Sequence, residues 1–444
     1  MRVAILGFSD LQQSESLQVY RYFKNLGADI SAFVWGNPQV PDDIHVIAVE
    51  HGATFSGLDN FDLLVRGPAI HPQQMPTKTR TTTLTNIFLE HCPTKNLIGI
   101  TGTKGKGTTS TLVAKMLQAA GHRVFLGGNI GVPLLDDLSS ITPADWVVLE
   151  MSNFQLIDVQ YSPHIATCLM VVPEHLDWHK DVAEYYAAKS NIFHHQTDTD
   201  VAIYHAKNTT SAALAALSAG SKIPYLEPPG AYVQDGKISI DGKTVCDTND
   251  IKLLGEHNWQ NVCAAITTVW QAGMHNITAM RDVLSSFTGL PYHLELVREL
   301  HGIRYYNDSF STTPETATVA VQAFPQPKIM ILGGSSKKAN FTDLARTIIN
   351  SNVRAVVVIG DNNHPHYASD GPVIETALRE HGFKDIVSLV KPGGATMSEI
   401  VIAAQSAAQP GDAVVLSAGC ASFDMFANYK ERGEQFTSAV QTLA

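Results

Sequence analysis

The sequence predicts an α/β protein with three domains: an N-terminal Rossmann-like domain, a central P-loop ATPase-type parallel sheet and a C-terminal Rossmann-like domain. Short apolar runs alternate with segments of helical period along almost the whole chain, as in proteins built on parallel sheets. A glycine-rich loop follows one of these runs, and 444 residues exceed one ordinary hydrophobic core. We expect the domains to span residues 1–93, 94–290 and 291–444.

The first domain is expected to begin with a strand over residues 2–8, a helix over 11–26 and a strand over 30–35. A further strand is expected over 61–65, before the loop 66–72. The sequence here lacks a full G-x-G-x-x-G fingerprint, so we assign this domain no dinucleotide.

The other two domains show the same alternation of strands and helices. The expected elements of the second domain are strands over 145–150, 165–172 and 201–204, a β-hairpin region over 225–245 and a closing helix over 258–273. Those of the third domain are strands over 303–306, 328–332, 355–359, 386–389 and 413–416, with helices between them. Parallel strands present the loops at their carboxyl ends to one edge of a sheet, where ligands bind.

The glycine-rich loop of the second domain is the most informative stretch. An apolar β-branched run from Leu97 leads through Gly102 to a lysine and two threonines, before a helix-like segment. Unpaired N–H groups and the dipole of such a helix favour an anion, so the loop predicts phosphate binding. We expect Lys106 along the β- and γ-phosphates and the hydroxyl of Thr108, or alternatively of Thr109, on Mg²⁺. The predicted nucleotide-binding residues here are Gly102, Thr103, Lys104, Gly105, Lys106, Gly107, Thr108 and Thr109.

Three further positions of the second domain carry candidate chemistry. Glu150 ends an apolar strand, where a carboxylate either holds Mg²⁺ near the phosphates or forms a cap or surface salt bridge. His175 belongs to a cluster of two histidines and two acids within residues 174–179, which suits either metal ligation or a structural role. Lys189 lies in an aromatic and alanine-rich helical segment, where desolvation would lower its pKa unless the side chain reaches solvent.

Amide and hydroxyl side chains define two more candidate sites. Asn258 and Asn261 lie three residues apart on one helical face, where they offer amides to an adenine ring or, for Asn258, cap the helix. In the third domain, polar loops follow three strands at residues 307–309, 333–338 and 417–429. Because the carboxyl ends of parallel strands lie together, these loops can converge on one small, carboxylate-bearing substrate.

The composition is typical of a globular protein, and the net charge argues against large anionic partners. The net charge of −11 argues against a general nucleic-acid surface or an anionic-membrane surface. The five cysteines lack CxxC or metal-type spacing, which favours a reduced, cytoplasmic setting. No apolar run approaches the roughly 18 residues that span a bilayer. The N-terminal run resembles a first strand and is too short for a signal sequence.

From about residue 96 onward, short stretches resemble, in order and spacing, those of the Mur ligases, and most closely the D-glutamate-adding branch. Those in the second domain are Thr101–Lys106, Gly128–Gly131, Leu149–Gln155, His175–Asp177, Ala188–Lys189, Gly255–Asn261 and Phe287–Pro291. Those in the third are Asn307–Ser309, Leu332–Gly334, Leu416–Asp424 and Arg432–Gly433.

The resemblance implies an ATP-dependent amide ligase that uses two Mg²⁺ ions. The carboxylate of UDP-N-acetylmuramoyl-L-alanine would attack the γ-phosphate of ATP, and the amine of D-glutamate would then displace phosphate from the acyl phosphate. Lys106 would neutralise phosphate charge. The implied metal-binding residues are Thr108, Glu150, His175 and Lys189, the lysine acting as a carbamate formed from CO₂. The implied catalytic residues are Lys106, Glu150, His175 and Lys189.

The resemblance also assigns residues to the ligands. Those implied at the adenosine of ATP are Asn258 and Asn261 on adenine and Asp308 on ribose, while Asn129 is implied near the acyl phosphate. Those implied around D-glutamate are Thr312, Lys337, Ser422 and Tyr429. In the first domain, Arg66, Gly67 and Pro68 are candidates for contacts to the sugar nucleotide.

The chain departs from the family pattern at several positions. Gly107 replaces the usual hydroxyl after the lysine, His293 stands at a cofactor-binding position where arginine is usual, and Phe310 stands where lysine is usual. Gly107 is shared with folylpolyglutamate synthases, so a ligase of that kind is one alternative, although such chains usually begin close to the phosphate loop. The other alternative is a nucleotide-binding pseudoenzyme or partner-dependent subunit. For the ligase we expect a monomer.

Overall fold

A computed structural model describes residues 1–8, 14–36, 38–50, 54–76, 78–176, 178–253, 255 and 257–444. The chain forms two compact units, of which the first contains Met1–Ile251 with His257–Ser286 and the second contains Lys252–Glu256 with Phe287–Ala444. The sheets of both units confirm the predicted α/β class. Within the described ranges, no helix is both long and apolar enough to cross a membrane.

The first unit opens with a five-stranded parallel sheet in the order β3-β2-β1-β4-β5. Its strands are β1 (Arg2–Phe8), β2 (Asp29–Val34), β3 (His45–Ala48), β4 (Leu63–Arg66) and β5 (Thr81–Thr82). Helices α1 (Glu15–Asn25) and α2 (Leu84–His91) accompany it. The hydroxyl of Ser14 caps α1 by accepting from Leu17 N, which places the start of the helix at residue 15. Residues 11–13 of the predicted helix lie outside the described residues.

The second sheet of this unit is parallel throughout, with the order β11-β10-β9-β6-β8-β7. Its strands are β6 (Leu97–Thr101), β7 (Val124–Gly128), β8 (Trp146–Glu150), β9 (Ile165–Cys168), β10 (Val201–His205) and β11 (Ser221–Tyr225). Its helices are α3 (Lys106–Ala119), α4 (Asn153–Leu156), α5 (Val182–His194), α6 (Thr209–Ala215), α7 (His257–Gln271) and α8 (Ile277–Ser286). The interior strands are buried on both faces, which explains their continuous apolar sequence.

The expected β-hairpin region is confirmed as two antiparallel hairpins formed by β12 (Tyr232–Gln234), β13 (Lys237–Ile240) and β14 (Lys243–Asp247). Its first bound needs correction, because Tyr225 belongs to β11 in the parallel sheet. A second expectation also needs correction. The helix predicted over 258–273 does not close the unit, because α8 follows it. Residues 272–276 separate the two helices, which belong to the same unit.

The second unit is built on one six-stranded sheet, whose strand order is β15-β16-β20-β17-β18-β19. Its strands are β15 (Glu295–Leu300), β16 (Ile303–Asn307), β17 (Lys328–Gly333), β18 (Val353–Asp361), β19 (Ile386–Lys391) and β20 (Ala413–Leu416). Its helices are α9 (Pro314–Gln322), α10 (Thr342–Ile349), α11 (Gly371–Glu380), α12 (Met397–Ala407) and α13 (Tyr429–Gln441). All five strands predicted here are present, and the added strand β15 pairs antiparallel with β16 at the edge.

Candidate active site

The glycine-rich loop has the geometry of a phosphate cradle. Strand β6 delivers the chain to the loop, and α3 begins at Lys106 with Gly105 as its N-cap at φ +85°. Two observations favour glycine at position 105. Its φ is one that glycine adopts readily, and an added Cβ would collide with Asn261 Oδ1. The first amides of α3 therefore lie at the loop, where the helix dipole favours an anion.

Two lysine ammonium groups meet at one carbonyl of this loop. Lys106 Nζ donates to the carbonyl oxygens of Gly102 and Thr103, each at 3.1 Å, and Lys189 Nζ donates to the same Gly102 oxygen at 2.8 Å. Lys189 is almost completely buried, with its ammonium 4.9 Å from the ring centre of Tyr185. Among the described contacts, both amines donate to carbonyl oxygens, so the loop carries two nitrogen donors that suit an anion.

Burial lowers the pKa of both lysines. Desolvation, followed by the positive charge of Lys106, lowers the pKa of Lys189 to about 7. Desolvation also lowers the pKa of Lys106, against the opposing effect of the Glu150 and Glu174 carboxylates. The sequence-based expectation that Lys189 lies in a desolvated environment is confirmed, and the alternative that it reaches solvent is wrong.

Glu150 and Asn129 are joined at the end of strand β8. Asn129 Nδ2 donates to Glu150 Oε1 at 2.7 Å, and Asn129 N donates to the Glu150 carbonyl at 2.8 Å. The chain approaches closely because Gly128 lies at φ +93°, where a Cβ would lie 2.2 Å from the Glu150 carbonyl oxygen. The structure thus brings together the predicted metal ligand and the residue predicted near the acyl phosphate.

His175 lies on a segment that an ion pair ties to the phosphate loop. Lys104 Nζ lies 2.6 Å from Glu174 Oε1, and the other oxygen of Glu174 lies 3.6 Å from His175 Nε2. The His175 backbone is left-handed at φ +57°, and its ring packs against Phe154 with centres 4.8 Å apart. The Asp177 of the sequence motif lies outside the described residues.

The donor set around the loop fits Mg²⁺. Hydroxyl and carboxylate oxygens are the hard ligands that this ion prefers, and Thr108 and Glu150 offer them. Thr108 is partly exposed, whereas the Thr109 hydroxyl is fully buried and has no hydrogen-bond partner among the described residues. This difference favours Thr108 over Thr109. Lys189 could join the set only after losing its ammonium proton, as a neutral amine or as an anion, because an ammonium group has no lone pair.

The two asparagines of α7 lie beside the loop. Asn261 Nδ2 donates to Asn258 Oδ1 at 2.9 Å, which confirms that both side chains lie on one helical face. Asn261 also contacts Gly105 closely, so the pair lies next to the start of α3. An adenine-binding role for the pair stays a prediction.

Arg66 is used inside the protein and is not available to a sugar nucleotide. Its side chain is fully buried, with Nε 3.0 Å and Nη2 2.7 Å from the two carboxylate oxygens of Asp158. It also donates to the carbonyl oxygens of Ile70 at 2.6 Å and Phe154 at 3.2 Å. This arginine joins the first sheet of the unit to the second. Because its donors are used inside the protein, the prediction that Arg66 contacts the sugar nucleotide is not supported.

In the second unit, the three predicted loops do converge. They follow β16, β17 and β20, which are neighbours in the sheet. Ser417 Oγ donates to Asp308 Oδ2 at 2.7 Å, and Phe423 N donates to Ser335 Oγ at 2.9 Å. The sequence-based expectation that these loops lie together is confirmed, because parallel strands end at the same edge.

Arg432 organises these loops, a role that the sequence did not reveal. The side chain is completely buried, and it donates to Ser309 Oγ at 2.9 Å, the Ser309 carbonyl at 2.8 Å and the Cys420 carbonyl at 3.1 Å. Burial lowers the pKa of Arg432 to about 10. One indication in the sequence pointed to Arg432, namely that it lies in the Arg432–Gly433 stretch that resembles the family.

The residues predicted to contact the amino acid, and His293, lie on or next to these loops. The rings of His293 and Phe310 stack with centres 4.1 Å apart, and Tyr429 contacts Phe310 edge-on at 5.2 Å. Burial lowers the pKa of His293. Lys337 is exposed and Ser422 is buried, while Thr312 is partly exposed in the loop after β16. Their roles toward D-glutamate stay predictions, as does the role of His293 toward the nucleotide.

Asp308 is the most perturbed acid of the second unit. Burial raises its pKa to about 7, although its carboxylate accepts hydrogen bonds from Ser311 Oγ, Ser417 Oγ and Leu294 N. The folded chain therefore holds a proton here that the unfolded chain releases near pH 4. Because the folded state binds the extra proton, this group makes folding less favourable as the pH rises from about 4 to about 7.

We expect the Asp308→Asn variant to lose this pH dependence. Between pH 4 and pH 7 the wild type should lose unfolding free energy relative to the variant, by about 1.4 kcal/mol for each pH unit. Urea unfolding at several pH values measures this difference. The control is Asp343→Asn, because the side chain of Asp343 is 92% exposed. Parallel pH curves for wild type and Asp308→Asn would contradict the assignment.

The fold and the phosphate loop define the class of protein, an α/β protein with a P-loop type of phosphate site. Two family models match the chain, the Mur ligase middle domain over residues 100–269 and the Mur ligase glutamate ligase domain over residues 294–420. The chain belongs to the Mur ligase family, whose members use ATP and Mg²⁺ in the synthesis of peptidoglycan precursors.

Individual relatives cover nearly the whole chain. A UDP-N-acetylmuramoylalanine–D-glutamate ligase of Clostridium kluyveri is 34% identical over 95% of this chain and 93% of its own length. A ligase of the same name from Clostridium tetani is 32% identical over 100% and 97%. In fold, the chain is similar to the UDP-N-acetylmuramate–alanine ligase of Thermotoga maritima, with a TM-score of 0.60, 16% identity and coverage of 100% and 99%.

Proposed function

We propose that this chain joins D-glutamate to UDP-N-acetylmuramoyl-L-alanine through an acyl phosphate, with ATP converted to ADP and phosphate. The observation that carries the ATP-dependent step is the pair of lysines, Lys106 and Lys189, at the Gly102 carbonyl of the phosphate loop. The choice of D-glutamate is supported by the names of relatives that are 32% and 34% identical along almost their full lengths.

In the proposed reaction, an oxygen of the substrate carboxylate attacks the γ-phosphorus and the bond to the ADP oxygen breaks. The amine of the amino acid then attacks the acyl carbon, phosphate leaves, and the amine proton is released. One Mg²⁺ held by Thr108 and Glu150 and a second contacted by His175 would neutralise phosphate charge. Lys106 and the α3 amides hold the phosphates in place, which is most of what phosphoryl transfer requires of a protein.

Several side chains of the first unit have defined positioning roles in this proposal. Asn129 fixes the orientation of the Glu150 carboxylate through its 2.7 Å hydrogen bond, and its position also suits contact with the acyl phosphate. Asn258 and Asn261 would hold the adenine through their amides. The Lys104–Glu174 ion pair would keep the His175 segment against the loop.

The second unit would supply the site for the incoming amino acid. We assign the cradle to the loops that Arg432 holds together. The residues proposed to contact D-glutamate are Thr312, Lys337, Ser422 and Tyr429. Asp308 is proposed to contact ribose and His293 to contact the nucleotide. We further propose a cytoplasmic monomer without nucleic-acid or membrane partners, which the net charge of −11 supports.

The proposal predicts that phosphate release from ATP requires both substrates together. A screen of amino acids in the presence of UDP-N-acetylmuramoyl-L-alanine should give release with D-glutamate and at least about tenfold less with L-glutamate, since each 1.4 kcal/mol of discrimination is a factor of ten. Release supported equally by a folate and L-glutamate would instead identify the folylpolyglutamate type of ligase. Binding of ATP without turnover for any amino acid would identify a pseudoenzyme.

A further inference from the structure

Three side chains of the first unit form a cluster that the ligase reaction leaves unused. His71 follows strand β4 of the first sheet, whereas His179 and Glu184 lie before and within helix α5 of the second. Nε2 of His71 and Nδ1 of His179 each lie 3.3 Å from the same oxygen, Glu184 Oε2, and the three atoms lie within 4.8 Å of one another. Residues 113 positions apart are thus brought to one point.

We propose that His71, His179 and Glu184 bind a divalent transition-metal ion of the zinc type. Two imidazoles with one carboxylate are a common zinc ligand set with a fourth position for water. With metal–ligand bonds of the usual length, neighbouring ligands of a tetrahedral zinc lie about 3.3 Å apart. Both histidine–glutamate distances match this value.

Without a metal, the two 3.3 Å contacts are hydrogen bonds at the long end of the usual range. Charge-assisted N–H···O bonds between imidazolium and carboxylate are about 2.7–2.9 Å long. At 3.3 Å, neither histidine has closed on the carboxylate.

The surroundings hold the cluster in place. His179 Nε2 lies 2.8 Å from Asn153 Nδ2. With a metal on Nδ1, Nε2 carries the ring proton, and the Asn153 amide would turn its oxygen to accept that proton, as the outer partners of metal-bound histidines usually do. Trp178 packs against both histidine rings, with centres 4.6 and 4.7 Å away, and its indole N–H donates to the Ala69 carbonyl. The Glu184 carboxylate also accepts from Lys180 N at 2.8 Å.

A metal at this point would connect the loop after β4 to helix α5. The loop carries His71, and α5 carries Lys189 one and a half turns beyond Glu184. Metal binding would therefore stabilise the first unit next to the phosphate loop. The cluster is distinct in its ligands from the Mg²⁺ set of Thr108, Glu150 and His175, and it differs in type because imidazole nitrogen favours zinc over magnesium.

The test is Zn²⁺ binding to the full chain after removal of metals by a chelator, in excess Mg²⁺ to occupy oxygen-rich sites. We expect one Zn²⁺ per wild-type chain and an increase in melting temperature of several degrees. His71→Ala and Glu184→Gln should each weaken binding more than about 100-fold, since loss of an outer partner alone costs 10–100-fold. His175→Ala should retain the ion, as should His164→Ala, which removes a histidine from an ordinary 2.7 Å pair with Asp200.

Two results would overturn the proposal. One is a wild-type chain that binds no Zn²⁺ under these conditions, and the other is unchanged binding in His71→Ala. If the variants fail to fold, Co²⁺ added to the metal-free wild type still decides the matter. The intense visible bands of a four-coordinate site are expected, and the weak spectrum of six-coordinate Co²⁺ would contradict the assignment.

Discussion

Replacing Lys106 by methionine is expected to lower kcat/KM for ATP by about 10²–10³, the usual loss when one preorganised donor to a developing negative charge is removed. The methionine keeps the length and apolar stem of the side chain but not its charge. In the folded chain the ammonium donates only to the carbonyl oxygens of Gly102 and Thr103 among the contacts described, so these bonds are weak competitors for a phosphate. Steady-state assay of phosphate release measures the effect.

The matched control for this variant is Lys115→Met on the same helix. Lys115 is exposed on α3, nine residues beyond Lys106, so its replacement tests general effects of charge loss on the helix. We expect its kcat/KM to stay within about twofold of wild type, because exposed substitutions change stability little. Equal activity of Lys106→Met and wild type would exclude the phosphate role of Lys106.

The sequence predicted well those parts of the fold that are buried on both faces. Continuous β-branched runs such as that of β18 mark interior parallel strands, and the loops after β16, β17 and β20 had to share an edge for geometric reasons. Edge strands were harder. β15 carries the charged, half-exposed sequence Glu295–Leu300, which has no apolar run, and it pairs only with β16.

Buried charges could not be predicted from the sequence. Arg66 and Arg432 look like ordinary surface residues in the sequence, yet both are completely buried and each joins segments that are distant along the chain. Their burial depends on carboxylate and carbonyl acceptors supplied by other elements, and no local pattern encodes these partners. The same holds for His71, which meets Glu184 only in the folded chain.

Lys189 has a perturbed pKa that bears on the lysine carbamate implied by the family resemblance. Its nitrogen must be neutral to attack CO₂, and the attack forms an N–C bond while one proton leaves to solvent. With a pKa of about 7, roughly half of the amine is neutral at pH 7 and most of it at pH 8, whereas an ordinary lysine is almost fully charged. The carbamate would then place a negative charge beside Lys106 and supply oxygen ligands to Mg²⁺.

Lys189→Ala is therefore expected to reduce kcat by about 10²–10³, and acetate or formate should restore part of the activity by replacing the carbamate oxygens. In the wild type, removal of CO₂ and bicarbonate at pH 8 should lower activity reversibly. With ¹³C-labelled bicarbonate, the wild type should show a carbamate carbon resonance that Lys189→Ala lacks.

Lys189→Met separates the carbamate from simple packing, because methionine fills the buried space over Tyr185 without a nitrogen. If Lys189 acts only by packing, the Lys189→Met variant should be active. If it acts only by donating to the Gly102 carbonyl, Lys189→Arg should be active. In both cases an added carboxylate should have no effect. If Lys189 acts as a carbamate, both variants should be as inactive as Lys189→Ala. An active Lys189→Met enzyme that ignores bicarbonate would exclude the carbamate while leaving the phosphate role of Lys106 intact.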